Sequence, residues 1–224
     1  MERYYQLLLN SPLFASLTEE ELAHILGCLG AKVKKFSSNQ MIIREAEQVE
    51  HVGVVLDGGV LIISDDALGN RSLNFKLGPG ELFGHVAATK VAAVSPVSVM
   101  SQDNSHILFL NFQNLITPCC NACHFHSKVI ENMMNVLAKR NLMMNRKLSI
   151  LSKRTIREKL LAYLAWQSYD SQSEEFTIPF NRDELADYLS VNRSALSREL
   201  SRMIDEGYFS NDRSYFKLNG KALA

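Results

Sequence analysis

Three cysteines and two histidines crowd one short stretch, Cys119-Cys120-Asn121-Ala122-Cys123-His124-Phe125-His126. Thiolates and imidazoles at this spacing are soft ligands, suited to zinc, copper or an iron–sulfur cluster. The pair Cys120-x-x-Cys123 can also close to a disulfide and reopen. The plainer alternative is a helix start with small buried thiols and local histidine contacts, because one CxxC beside histidines does not by itself specify a metal. The cofactor is therefore left unassigned. His51 and His85 are further candidate ligands, although a lone histidine in a glycine-rich loop usually serves as polar lining. Met133, Met134, Met143 and Met144 read as packing residues. The chain has no Walker loop, no HExxH pattern and no nucleophile elbow, and no carboxylate pair stands out, so no enzyme is predicted.

A second set of residues points to base recognition. Arg193, Ser194, Ser197 and Arg198 share one face of a predicted helix opened by Asn192, with Arg202 further along. An arginine at the N-terminal end of such a helix can donate two hydrogen bonds to guanine O6 and N7 in the major groove. Arg202 is better placed for a phosphate. The elements that hold this face are legible. Asn181 with Glu184 signals the start of a first helix, and Leu185, Ala186 and Leu189 give it an apolar side. Leu189-Ser190-Val191 makes the turn, and Leu196, Leu200 and Ile204 are expected to form the buried side of the second helix. The alternative is a plain helical hairpin inside a core.

The rest of the chain must carry this pair. Thr18-Glu19-Glu20-Glu21 fits a capping box ahead of Leu22, Ile25 and Leu26. From about residue 31 to 112, short β-branched runs alternate with turns such as Asp57-Gly58-Gly59 and Gly78-Pro79-Gly80, which predicts an antiparallel sandwich or roll. From His124 to about Leu151 there is no Pro or Gly. Apolar residues recur at Ile130, Met133, Leu137, Met144, Leu148 and Leu151, with a polar position near Arg140 and Asn141. This narrow stripe predicts a two-helix seam, the alternative being one amphipathic helix packed on its own domain. A run of lysines and arginines from Lys128 to Lys159 is either a solvated face or a neighbour of phosphates. After Thr155 come a helix, a short extended piece, the two helices and a small hairpin. The predicted segments are 1–123, 124–153 and 154–224.

Lys+Arg and Asp+Glu each number 24 in 224 residues, so the net charge is zero and non-specific coating of nucleic acid or anionic membrane is not expected. No leader-like N-terminus appears, and no apolar run approaches the roughly 18 residues of a membrane span, which predicts a cytoplasmic protein without a membrane partner.

The order of parts resembles the cyclic-AMP receptor protein and fumarate–nitrate reduction regulator (CRP/FNR) family over essentially the whole chain. Leu13-Phe14 to Leu22 looks like its opening helix. Val55-Leu56-Asp57-Gly58-Gly59-Val60 and Gly78-Pro79-Gly80-Glu81-Leu82-Phe83-Gly84 look like its roll turns. The long helix and the winged helix-turn-helix follow in order. The resemblance implies an α+β fold: a double-stranded β-helix (jelly-roll) domain, a central dimerisation helix and a winged helix-turn-helix. It implies a homodimer on double-stranded DNA, reading an inverted repeat with half-sites about 34 Å apart, with RNA polymerase as partner. Arg193, Ser194, Ser197 and Arg198 fall where the family reads bases. A small-molecule effector would sit against Gly80, Glu81, Leu82, Phe83, Gly84 and His85. Here the chain departs from the family's cyclic-AMP binders, in which glutamate follows the loop glycine and an Arg-Ser or Arg-Thr comes later. His85 follows Gly84, the later stretch is Val91 to Val97, and Lys90 is the nearest cation. A phosphate buried there unpaired would be costly, so an effector other than cyclic AMP is expected. Cluster cysteines near the N-terminus, usual in the family's iron–sulfur sensors, reduce here to Cys28.

Overall fold

The computed structural model describes residues 2–69, 71–89, 94–117 and 124–220. Five of its described helices begin at a residue whose side chain caps them. Thr18 opens α2 (Glu19–Cys28), which follows a short α1 (Tyr5–Leu9), and its hydroxyl and the Glu21 carboxylate exchange hydrogen bonds with each other's backbone. Eight strands follow: β1 (Lys32–Phe36), β2 (Met41–Ile43), β3 (His51–Asp57), β4 (Val60–Asp65), β5 (Arg71–Leu77), β6 (Leu82–Phe83), β7 (Ser98–Ser101) and β8 (Ser105–Asn111). They form two four-stranded sheets, ordered β1-β8-β3-β6 and β2-β7-β4-β5, with antiparallel pairing throughout the β1-β8, β3-β8, β3-β6, β2-β7 and β4-β7 ladders. Alternation along β8 sends Ile107 to the core between the sheets, and Leu108 and Leu110 to a second core under α1 and α2. Two short helices, α3 (His85–Ala88) and α4 (Phe112–Ile116), complete this part.

The long helix α5 (His124–Leu151) comes next, followed by α6 (Ile156–Ser171), capped by Thr155 with Glu158. Then come β9 (Glu175–Thr177), α7 (Arg182–Leu189), α8 (Arg193–Asp205), β10 (Phe209–Asp212) and β11 (Tyr215–Leu218). The last sheet has the order β10-β11-β9, and Arg213 turns its hairpin at φ 52°. No helix among the described residues is long and apolar enough to cross a membrane.

The chain forms two compact units, Met1–Ser64 with Asn74–Asn141, and Asp65–Leu73 with Leu142–Ala224. In the first, Val129 and Met133 of α5 enter the core of α1 and α2, and Asn132 donates to the carbonyls of Leu13 and Ala15. In the second, the tip segment 65–73 is held by Lys147, whose ammonium donates to the Leu73 carbonyl at 2.6 Å and lies 4.8 Å from the Tyr188 ring centre. Burial pulls the Lys147 pKa down to about 8.

Two sequence expectations are corrected in phase. Met133 is 3% exposed and belongs to the core, whereas Met134 is 62% exposed. The surface stripe is therefore Ile130, Met134, Leu137, Asn141, Met144, Leu148 and Leu151, an alternation of four- and three-residue steps, with Leu148 60% exposed. On α8, Met203 is fully buried and Ile204 is 37% exposed. Seven residues after Leu196 bring the chain within about 20° of the same direction, and the eighth overshoots it.

The basic run is largely spent inside the fold. Lys128 pairs with Glu21, Arg146 with Asp170, and Arg157 with Glu199 and Glu206, while Lys159 donates to the Leu189 carbonyl.

Candidate functional site

The α7–α8 pair is fixed at each end by side chains that replace missing helical hydrogen bonds. Asn181 accepts from the Glu184 amide at 3.0 Å, and Glu184 accepts from the Asn181 amide at 2.8 Å. Ser190 closes α7 in a left-handed conformation at φ 51°. Asn192 caps α8, its Oδ1 accepting from the amides of Ser194 and Ala195. Leu185, Ala186 and Leu189 of α7 and Leu196, Leu200 and Met203 of α8 are buried. Beneath them Tyr163 of α6 contacts the rings of Phe180 and Tyr188, and burial raises both tyrosines' pKa values, that of Tyr188 to about 12.

This packing leaves Arg193, Ser194, Arg198 and Arg202 exposed and Ser197 half-buried on the outer side of α8. Their states differ. Arg193 pairs with Asp183 of α7 at 2.9 Å, with both side chains more than half exposed. Such a surface pair is worth about 0–1 kcal/mol and gives way readily to a phosphate or base. The Ser194 hydroxyl donates to the Asn192 cap at 2.6 Å. Arg202 lies 3.4 Å from Glu199. Arg198 is exposed and has no ion-pair partner among the described residues.

The glycine turn of the first unit is built differently from a plain loop. Gly80 and Gly84 have φ of 86° and 80°, and a Cβ on Gly84 would come within 3.3 Å of the His51 carbonyl oxygen. The Glu81 carboxylate accepts from the Gly78 amide, and Leu82 and Phe83 turn into the core. Phe83 fills the space over Gly53, where a Cβ would meet its ring at 2.2 Å. His85, at the start of α3, is 8% exposed with Nδ1 buried and unpaired. Burial, and then the charge of Arg140, pull its pKa down to about 4, so the imidazole is neutral at physiological pH.

Arg140 is the residue that motif reading missed. The segment 85–97 contains no arginine, but α5 delivers one to the same turn. Its Nη2 donates to the Leu82 carbonyl at 3.1 Å, its guanidinium lies 4.4 Å from the centre of the Phe75 ring, and Nη1 is buried without a partner. Burial lowers its pKa and the nearby Glu81 charge opposes that shift. The available signal was a charged residue interrupting an apolar helix, but its target could not be read from a local motif.

Cys119, Cys120 and Cys123 lie outside the described residues, as does Lys90. His124 is exposed, whereas His126 is buried, with Nε2 3.0 Å from the Asn114 carbonyl and Nδ1 unpaired. Cys28 is a free thiol, and no group of three His, Cys, Asp or Glu side chains able to hold a metal occurs among the described residues.

A β-sandwich with a glycine turn and an inserted arginine, followed by a capped helix pair with a small wing sheet, defines a ligand-sensing, DNA-binding regulator. The cyclic nucleotide-binding domain model matches residues 33–117, and the Crp-like helix-turn-helix domain model matches residues 158–224. The chain belongs to the CRP/FNR family of transcription regulators, which are not enzymes. The fold is shared with the c-di-GMP responsive global regulator CLP of Xanthomonas campestris (16% identity, TM-score 0.71, 91% of this chain and 100% of that one covered). It is also shared with a CooA mutant of Carboxydothermus hydrogenoformans (16%, 0.69, 95% and 90%). The catabolite activator protein of Thermus thermophilus is similar at 22% identity, with a TM-score of 0.54 and 95% and 96% covered. No curated protein sequence matches the chain significantly.

Proposed function

We propose that this protein works in the cytoplasm as a homodimer that reads an inverted-repeat operator in double-stranded DNA and engages RNA polymerase there. Its working segments are then the sensor 1–123, the dimer helix 124–153 and the reading head 154–224. The observation that carries the reading is the two-sidedness of α8: a buried side of Leu196, Leu200 and Met203 opposite exposed Arg193 and Arg198 near a capped N-terminus. Arg198 and Arg193 contact base edges, Ser197 and Ser194 support them, Asn192 fixes the helix start, and Arg202 takes a phosphate. Each bidentate arginine–guanine contact is worth about 1–3 kcal/mol of discrimination. The Arg193→Ala, Arg198→Ala double variant is expected to keep its fold by circular dichroism and to lose preference for operator over random DNA. Unchanged specificity in a competition footprint would refute the assignment.

The effector site is the turn Gly80 to His85 with Arg140. A buried guanidinium with a spare N–H calls for an acceptor on the ligand, and neutral His85 offers a lone pair or a proton. The arginine comes from the dimer helix rather than the loop, and Phe75 covers its face. That arrangement supports a compact effector other than cyclic AMP.

A further inference from the structure

The sandwich opens along one side, between β1 and β2, the outer strands of the two sheets. The opening is a cavity of about 410 Å³, lined by Lys32, Lys34 and Phe36 of β1, Ile42 and Ile43 of β2, Phe109 of β8, and the 47–51 segment. We propose that this cavity is a second ligand site, made for a compact aromatic monocarboxylate.

Register dictates its chemistry. Lys32, Lys34 and Phe36 alternate onto the inner face of β1, and Lys32 stands opposite Phe109 in the ladder. Phe36 and Phe109 lie 6.1 Å apart and, with Ile43 and Val49, make an apolar floor. A flat ring entering against two tilted rings gains both buried area and aromatic contact. The volume is near the lower end of the about 300–1,000 Å³ typical of ligand pockets, which selects a one- or two-ring molecule.

The rim supplies the charge. Lys34 places its ammonium 5.4 Å from the Phe109 ring centre, and neither Lys32 nor Lys34 has a carboxylate within ion-pair distance among the described residues. Across the mouth, the Glu47 carboxylate is turned to the Arg44 amide at 2.9 Å. Glu50 and His51 complete the lining. Lys32 and Lys34, with no carboxylate paired to them among the described residues, favour a single carboxylate seated beside them, while Glu47 and Glu50 leave the rim without net positive charge and so disfavour a phosphate dianion. Inward lysines on an edge strand also discourage strand-to-strand aggregation, but that role needs no aromatic-floored cavity beneath them.

The site is separate from the Arg140 turn but shares a wall with it. Gly84 packs against Ile43 and the His51 carbonyl, at 3.4 and 3.3 Å from where its Cβ would be. The proposal does not rest on the effector reading above.

The test is calorimetric titration of the full chain with 2-naphthoate, in parallel with uncharged 2-naphthamide. Binding of the carboxylate at one site per chain is expected, with weaker binding of the amide. Lys32→Gln with Lys34→Gln, both exposed positions that leave the core intact, should weaken naphthoate about tenfold or more, the loss of a charged hydrogen bond. Arg140→Gln should leave it unchanged. No heat at millimolar probe, or affinity indifferent to the lysines, overturns the proposal; loss in Arg140→Gln alone assigns the probe to the other turn and overturns it equally.

Discussion

At the scale of single residues, His85 shows how placement outweighs type. A histidine after a glycine turn reads as polar lining or as a ligand, but here it is buried with Arg140 near it and its pKa falls to about 4. Unfolding restores its ordinary value of 6.5. Between pH 6.5 and 4 the unfolded chain binds a proton that the folded chain refuses, so stability falls as pH drops through that window and is insensitive to His85 above it. The loss at pH 5 is about 2 kcal/mol. Glu21 and Glu158, whose backbone hydrogen bonds lower their pKa values, lose their stabilisation only at more acidic pH. Urea unfolding at pH 7 and pH 5 should therefore show a smaller difference for His85→Gln than for the natural chain. Equal differences would mean that the imidazole titrates freely. None of this was visible in the motif, because the burial that causes most of the shift is a product of tertiary packing and the added charge comes from Arg140, 55 positions further on.

At the scale of elements, local chemistry carried much of the reading. The capping residues Thr18, Asn181 and Asn192 predicted helix starts that the structure reproduces, because a cap is a contact between residues two or three apart. The glycine turns were legible for the same reason. Strand β1 was not, since Lys-Val-Lys-Lys-Phe lacks an apolar inner face; its pairing with β8, some 70 residues away, makes it a strand. Helix phase was also read one position off, at Met134 and at Met203, because sequence alone does not say which of two adjacent apolar residues faces inward. This distinction is measurable on α8. Met203→Ala should cost about 2–5 kcal/mol, the price of a cavity, whereas Ile204→Ala should cost about 0.5–1 kcal/mol. A larger cost at Ile204 than at Met203 in chemical denaturation would return the buried side to the phase expected from sequence. Asn192→Ala is expected to cost about 1 kcal/mol by exposing two amides.

At the scale of the molecule, the proposed pairing of two reading heads rests on the exposed stripe of α5. Met134 and Leu148 are mostly exposed in the isolated chain, in step with Ile130, Leu137, Met144 and Leu151, and although Leu142 and Met143 are exposed beside them, this alternation of four- and three-residue steps suits a second identical helix. Asn141 interrupts it at a position where a polar side chain sets register at a cost in affinity. Two linked heads bind a palindrome with an effective local concentration that a single head lacks, so dimer loss should weaken operator binding by about 100-fold or more while leaving each head folded. Met134→Glu with Leu148→Glu buries like charges against each other only if the helices pair. Sedimentation should then report a monomer with unchanged helix content, and Asn141→Leu should shift the equilibrium toward association. If the double variant still sediments as a dimer and holds its operator, the interface lies on another face, and α5 serves only its own chain.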